Sequence, residues 1–348
     1  MGGRRGSGGR KSKGEGRSTG QAIIIDLDNL ARYRYLSFAW FVRMAVAWLV
    51  GQDLFEKPLD PGTINNVLAE TVEEAKALKL SEKARDEVIK HLQGNEDVNL
   101  YTEYFMDWEV KEHTRVFGGR GREVREFFKA RPYVVGLYLL GMELTRVRNN
   151  VYLFIEPHIY LIGLSLSLNK YREFYNNIRN LVREYERRAN NKEKNINETA
   201  LMATLAGLVV NNLRRYKVGM YRIRELIGVG GNVFVLYRVD KRGGVTPLDL
   251  TNLVKHILEL ERVGLSVSRT LAGLAGRFVS RKRGGDIIDS INTVGDAVFK
   301  YTITGDLGYI YNMTRTVTTS EGYAEVRDSL LGVGGGGEGG DSEGLGTV

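Results

Sequence analysis

Between Tyr171 and Arg188 the apolar side chains recur at spacings of three and four: Tyr171, Phe174, Tyr175, Ile178, Leu181, Val182 and Tyr185 share one stripe. A helix of 3.6 residues per turn returns every third or fourth side chain to the same face, so this period predicts a helix lying on a core. The opposite side is equally regular. At 100° per residue, Arg172, Arg179, Arg183 and Arg187 fall within about 80° of one another. Guanidinium groups at helical pitch can follow a phosphate backbone, while the plainer alternative pairs them with Glu173, Glu184 and Glu186 as surface ion pairs.

Most of the remaining chain has the same helical character. Asn29–Gly51, Ile64–Leu80, Glu82–Leu92, Glu123–Lys129, Tyr133–Leu144 and Ile196–Tyr216 read as helices, and Pro157 starts another toward Leu168. Pro132 stands where a first helical turn tolerates it. Val151–Ile155 is a short β-rich run. Tyr221–Ile227 and Asn232–Val239 flank Gly228-Val-Gly-Gly231 and predict a β-hairpin. Thr246-Pro-Leu-Asp249 offers a cap, an N1 proline and an early acid, which predicts a helix to Val263. Ser266 caps the next, to Lys282, and Ile287–Tyr301, Leu307–Val317 and Tyr323–Leu331 complete a bundle. The expected fold is mainly α: a helical N-terminal region, a small β-hairpin element, a C-terminal helical bundle and disordered Gly-rich tails.

The net charge of +8 is a remainder of larger opposing quantities. Residues 1–20 carry six basic residues and one acid; 21–112 carry 10 basic and 17 acidic; 113–331 carry 34 basic and 21 acidic; 332–348 carry three acids and no base. The division expected is a basic tail at 1–20, an acidic helical region at 21–112, a basic mixed region with the hairpin at 113–245, a bundle at 246–331 and a Gly-rich tail at 332–348. Seventeen of the 42 glycines lie in the two tails, which cannot bury enough apolar surface to offset ordering entropy. The first tail has the composition of a flexible polycation, or of a solubilising tag. The acidic helices (Glu70, Glu73, Glu74, Glu82, Asp86, Glu87) present a face expected to meet other protein subunits rather than nucleic acid.

The absence of cysteine excludes thiol catalysis, disulfides and Cys-type metal sites. The longest apolar stretches do not span a membrane: Leu36–Val50 carries Arg43, Tyr133–Leu144 is short, and Val151–Leu168 is interrupted by Glu156-Pro-His158. A cytoplasmic protein is expected. The histidines, His91, His113, His158 and His256, are scattered, and no phosphate-binding glycine motif follows a strand, so neither metal nor cofactor is expected. Ile23-Ile-Ile-Asp26-Leu-Asp28-Asn29 resembles the first motif of haloacid-dehalogenase-type phosphotransferases, which would make Asp26 and Asp28 the carriers of a metal-dependent phosphatase. Asn29 departs from that motif, and the alternative makes Asp26 or Asp28 a helix cap.

What recurs is arginine beside paired glycine. Arg115 and Arg125 flank Gly118-Gly-Arg120-Gly-Arg122; Lys241-Arg242-Gly-Gly and Arg281-Lys282-Arg283-Gly-Gly repeat the combination. Glycine lets a backbone approach phosphate closely while the neighbouring cation supplies charge, which suits contact with an RNA or DNA backbone rather than base reading. The nucleic-acid-binding residues expected are these cations together with Arg172, Arg179, Arg183 and Arg187, with no catalytic residue. Tyr33, Tyr35, Tyr101, Tyr104, Tyr309 and Tyr311 lie among polar or basic neighbours and are candidates for base stacking.

Phe117-Gly-Gly-Arg-Gly-Arg-Glu-Val-Arg-Glu-Phe127, Phe154-Ile-Glu-Pro-His-Ile-Tyr160, Phe299-Lys-Tyr301 and Thr304-Gly-Asp306 within a helical C-terminal half give residues 115–331 a style that resembles the large subunit of archaeal type I-A CRISPR effector complexes. The resemblance implies a non-catalytic subunit of an RNA-guided interference complex that contacts guide RNA and target DNA, helps sense the protospacer-adjacent motif and docks a helicase–nuclease. The alternative is an archaeal virus nucleocapsid or genome-packaging protein, with the same tail and helical faces and a higher-order assembly.

Overall fold

The computed structural model describes residues 23–59, 61–77, 80–100, 104–106, 109, 128–228, 232–240, 244–280, 284–318 and 330–331. The fold is mainly α, arranged around two small sheets and one continuous core.

Helix α1 (Ser37–Val50) is apolar on nearly every side and buries 12 of its 14 residues. Its start is held from outside the helix: the Glu109 carboxylate accepts the Ser37 N–H at 2.5 Å and the Ser37 hydroxyl as well. Gly51 ends it in the left-handed conformation (φ 68°), with its N–H on the Ala47 carbonyl. Helices α2 (Pro61–Ala77) and α3 (Glu82–Leu92) follow, the latter capped by the Ser81 hydroxyl, which accepts the Ala84 N–H.

Strands β1 (Ile23–Ile25), β2 (Val98–Asn99) and β3 (Phe128–Ala130) form a mixed sheet in the order β1-β3-β2, with β1 and β3 parallel. Pro132 opens α4 (Pro132–Thr145), which lies against α1 and α3. At Gly141 the α1 and α4 backbones meet: a Cβ there would stand 1.9 Å from the Phe41 carbonyl oxygen, so only glycine fits.

The second sheet is antiparallel throughout, β4 (Arg146–Arg148), β5 (Val151–Ile155), β6 (Val235–Asp240) and β7 (Gly244–Asp249), in that spatial order. Alternation puts Tyr152, Phe154, Tyr237 and Val239 on one face, where Phe41 and Trp40 of α1 meet the three aromatic rings at 5.0 to 6.1 Å. The other face lies on α5 (Leu168–Asn190). There the Tyr175 hydroxyl donates to the Leu153 carbonyl at 2.9 Å and Arg238 pairs with Glu186.

Beyond the sheet, α6 (Glu198–Arg215) is the centre of the C-terminal bundle, in contact with α8 (Thr251–Arg262), α9 (Val267–Val279) and α10 (Gly284–Thr304). α7 (Met220–Gly228) precedes β6, and α11 (Gly308–Thr318) lies against α10. No helix among the described residues is long and apolar enough to cross a membrane.

The stripe on α5 is buried from Tyr171 to Val182 as its period predicts, with Tyr185 half-buried at its end. Four expectations need correction. The hairpin is formed by Val235–Asp240 and Gly244–Asp249, not by Tyr221–Ile227, which belongs to a helix. Thr246-Pro-Leu-Asp249 lies in β7 and the helix starts at Thr251; β7 is an edge strand, where Pro247 deprives no neighbour of a ladder bond. Phe128 and Lys129, expected to end a helix, form β3. Pro157 is followed by a π-helical turn, His158–Gly163, rather than a helix reaching Leu168. Both Gly-rich tails and nearly all of Tyr323–Leu331 lie outside the described residues.

Candidate functional site

The four arginines of α5 divide between two roles. Arg172 donates from Nε to the Trp48 carbonyl (2.7 Å) and from Nη2 to the Leu49 carbonyl (3.3 Å), with its guanidinium 5.5 Å from the Trp48 ring centre. It therefore caps the C-terminus of α1, where carbonyls lack intrahelical partners and the helix dipole favours a cation. Arg179 does the same for α4 through the Glu143 (2.9 Å) and Arg146 (3.2 Å) carbonyls, and its burial pushes its pKa down. Arg187 is enclosed by Glu184 and Glu193 through four hydrogen bonds of 2.7 to 2.9 Å. Those bonds hold the Glu193 carboxyl down at about 2. Only Arg183 is exposed, with one long bond (3.3 Å) to the Arg146 carbonyl. The row is thus no continuous phosphate track. Its outward-facing part is a cleft of about 460 Å³ where Arg183 and Arg187 meet Arg148, Asn149, Asn180 and Asn190, with Val279 at one wall.

A second cleft, of about 350 Å³, lies between α7 and α8. Arg222 ties α7 down by donating to the Gly163 carbonyl (2.6 Å), and buried Ile223 fixes its inner face, which leaves Arg224 exposed. On α8 the buried side carries Leu253, Val254, Ile257 and Leu260, and Lys255, Glu259 and Arg262 repeat at four and three residues on the outer side. Arg224, Lys255 and Arg262 thus line one cleft with a single carboxylate, Glu259. None of the three has an ion-pair or hydrogen-bond partner among the described residues. The i, i+7 spacing of Lys255 and Arg262 was the available sequence signal. It carries little weight without the α7 partner that completes the cleft.

A third cavity, of about 270 Å³, opens on the sheet face that α1 leaves uncovered, lined by Tyr35, Ser37, Trp40, Met106, Phe154, Tyr237, Val239 and Val245. Of the residues suggested for base stacking, Tyr35 is 58% exposed at its mouth and Tyr33 packs edge-on against Phe128. Tyr104 packs among Phe38 and Tyr138, Tyr309 and Tyr311 lie on α11, and Tyr101 is outside the described residues.

The Asp26 motif has a structural occupation. Asp26 follows β1; it accepts the Leu27 N–H and the Tyr133 hydroxyl and faces Arg131 at 3.4 Å, while Asn29 accepts the Asp26 N–H. Burial and the Asp26 carboxylate both push the Tyr133 phenol up, so it remains a donor. Neither Asp26 nor Asp28 caps a helix; the short 3-10 turn Leu30–Tyr33 has Asn29 at its cap position, and the Asn29 side chain makes no capping bond.

Asp53, Glu56 and His158 bring ligand-type atoms within 4.8 Å of one another. Both Asp53 oxygens are held by Arg43 at 2.7 and 2.6 Å, and Arg43 also reaches Glu156 at 2.8 Å. A metal ion there would displace the guanidinium from Asp53 and stand beside its charge, so the donor set fits an ion-pair network instead.

Arg115, Arg120, Arg122, Arg125, Lys241, Arg242, Arg281, Lys282 and Arg283 lie outside the described residues. No family model, curated protein or solved structure matches the chain.

Proposed function

We propose that the chain is a non-catalytic nucleic-acid-binding protein that engages the phosphate backbone through its basic C-terminal half. The observation that carries this is the α7–α8 cleft. On α5 the arginines cap helices or pair with carboxylates, apart from exposed Arg183, whereas Arg224, Lys255 and Arg262 line one cavity with no partner among the described residues. Three cations lining one cleft with a single carboxylate offer an anion of several charges more than one contact; a phosphate chain is such a ligand. Exposed Arg183 and the cations of 115–125, 241–242 and 281–283 add charge of the same sign to residues 113–331.

The test is binding of labelled single-stranded and duplex oligonucleotides against salt. Replacing Arg224, Lys255 and Arg262 together by alanine is expected to weaken binding uniformly across sequences. It should also flatten the slope of log K against log salt by about 2 for single strands, at about 0.7 per phosphate contact. Wild-type protein that binds no nucleic acid would refute the proposal. The resemblance to effector large subunits is consistent with this role: co-purification with short RNA and a fixed set of other subunits favours that membership, and filaments along nucleic acid favour genome packaging.

A further inference from the structure

We infer that the cavity beside α1 is a stacking pocket for one unpaired nucleobase, which makes the preferred ligand a single strand. This rests on the nucleic-acid reading above and names the form of the ligand.

Three observations converge on it. First, the cavity is lined by aromatic rings and reaches the surface. Trp40 stands edge-on to Tyr237 (6.1 Å) and Phe154 (6.0 Å), Tyr35 is 58% exposed at the mouth, and Val245 of the edge strand is 48% exposed. At about 270 Å³ it approaches the ~300 Å³ at which small-ligand sites begin, which is room for a flat ring system and too little for a folded element. Second, the hydroxyls of Tyr35 and Tyr237 have no hydrogen-bond partner among the described residues, so polar groups stand ready for a base edge within an apolar lining. Third, the segment that forms the mouth is Arg32-Tyr33-Arg34-Tyr35. The Trp40 indole N–H donates to the Arg34 carbonyl at 2.8 Å, which fixes this segment against the pocket wall. Arg32 and Arg34 are exposed and have no partner among the described residues. Cations interleaved with aromatics, beside a cavity that takes a ring, match what a nucleotide offers: a base with a π-face joined to a phosphate. An apolar side chain from a protein partner would fill the cavity but leave the two arginines unanswered.

The test compares a 12-residue oligothymidylate with an abasic strand of equal length, which carries the same phosphates and no bases. Wild-type protein is expected to bind the base-bearing strand about tenfold more tightly, the size of one base–aromatic stack. Tyr35→Ala, and Val245→Trp as a variant that fills the mouth, should bring that ratio to within about twofold without altering affinity for the abasic strand. Equal affinity of wild-type protein for the two strands would overturn the pocket and leave backbone binding standing. Absence of binding to either strand, or to duplex, would overturn both.

Discussion

Replacing Arg172 by alanine separates the two roles that an arginine row on a helix can play. In the structure its guanidinium supplies two bonds to the last carbonyls of α1 and lies over Trp48, while its own helix faces the core. Losing a charged hydrogen bond to a buried acceptor costs about 1.5–3 kcal/mol. The cation–π contact contributes about 0.5–1 kcal/mol, and the dipole interaction about 0.3–1 kcal/mol. These overlap because one group makes all of them, so the expected loss is about 2–4 kcal/mol. At about 2–4 °C per kcal/mol this is a fall in Tm on the order of 4–16 °C, readable by calorimetry or thermal circular dichroism. Arg172→Lys keeps the charge but not the planar fork and should fall between the two. Below the transition, nucleic-acid affinity and its salt slope should match wild type. An unchanged Tm with a salt slope flattened by about 0.7 would refute the capping assignment and restore Arg172 to the binding face.

Three further outcomes follow from closely packed or paired groups. Asp53→Asn leaves Arg43, 4% exposed, with only Glu156 as a charged partner and should cost about 3–5 kcal/mol, whereas the double change to Arg43→Met with Asp53→Leu should cost less; urea titration distinguishes the two. Gly141→Ala puts a methyl 1.9 Å from the Phe41 carbonyl oxygen and must part α1 from α4, so a loss of at least ~1–3 kcal/mol is expected; wild-type stability would mean the helices are farther apart than described. In acid, hydrogen bonds from Arg187 keep Glu193 at about 2; for Glu184, burial pushes the carboxyl up but the bonds from Arg187 and Arg188 outweigh it. Depressed folded-state values mean stability present above the ordinary carboxylate range, ~4.3, and lost as pH falls toward 2. Stability curves for Arg187→Ala should lose the part of that acid limb due to Glu193 and keep the part that Arg188 holds on Glu184; an unaltered limb would contradict the assignment.

The parts readable from sequence are those where local pattern and burial agree. The α5 stripe, the Pro132 start of α4 and the β-rich run at Val151 each satisfy a local rule that the core then reinforces. The misreadings fall where a short segment satisfies two periods. In Tyr221-Arg-Ile-Arg-Glu-Leu-Ile227, alternation suggests a strand, but Ile223, Leu226 and Ile227 also stand at helical spacing, and contact of Leu226 with Gly163 favours the helix. Thr246-Pro-Leu-Asp249 has the residues of a helix start, yet pairing with β6 claims them, and an edge position makes Pro247 harmless.

The candidate sites show a related limit, and it concerns arginine in particular. Sequence counts every guanidinium toward net charge, but a guanidinium with five donors is also the side chain best suited to satisfy carbonyls at buried helix ends. Arg172 and Arg179 face outward on α5 only until α1 and α4 are laid beside it; their targets are 124 and 36 residues away in the chain. Among the described residues, Arg224 on α7 and Lys255 and Arg262 on α8 remain free, on the sides of their helices turned away from the core. The excess of basic over acidic residues in 113–331 therefore overstates the surface available to an anion, and the mildly acidic 21–112 understates its share. Arg32 and Arg34 lie in that acidic segment, unpaired among the described residues and tied to an aromatic cavity. If the proposed stacking pocket holds, selectivity for a base comes not from the most charged surface but from an exposed ring beside a free cation, because a ring distinguishes a base from other anions and charge alone does not.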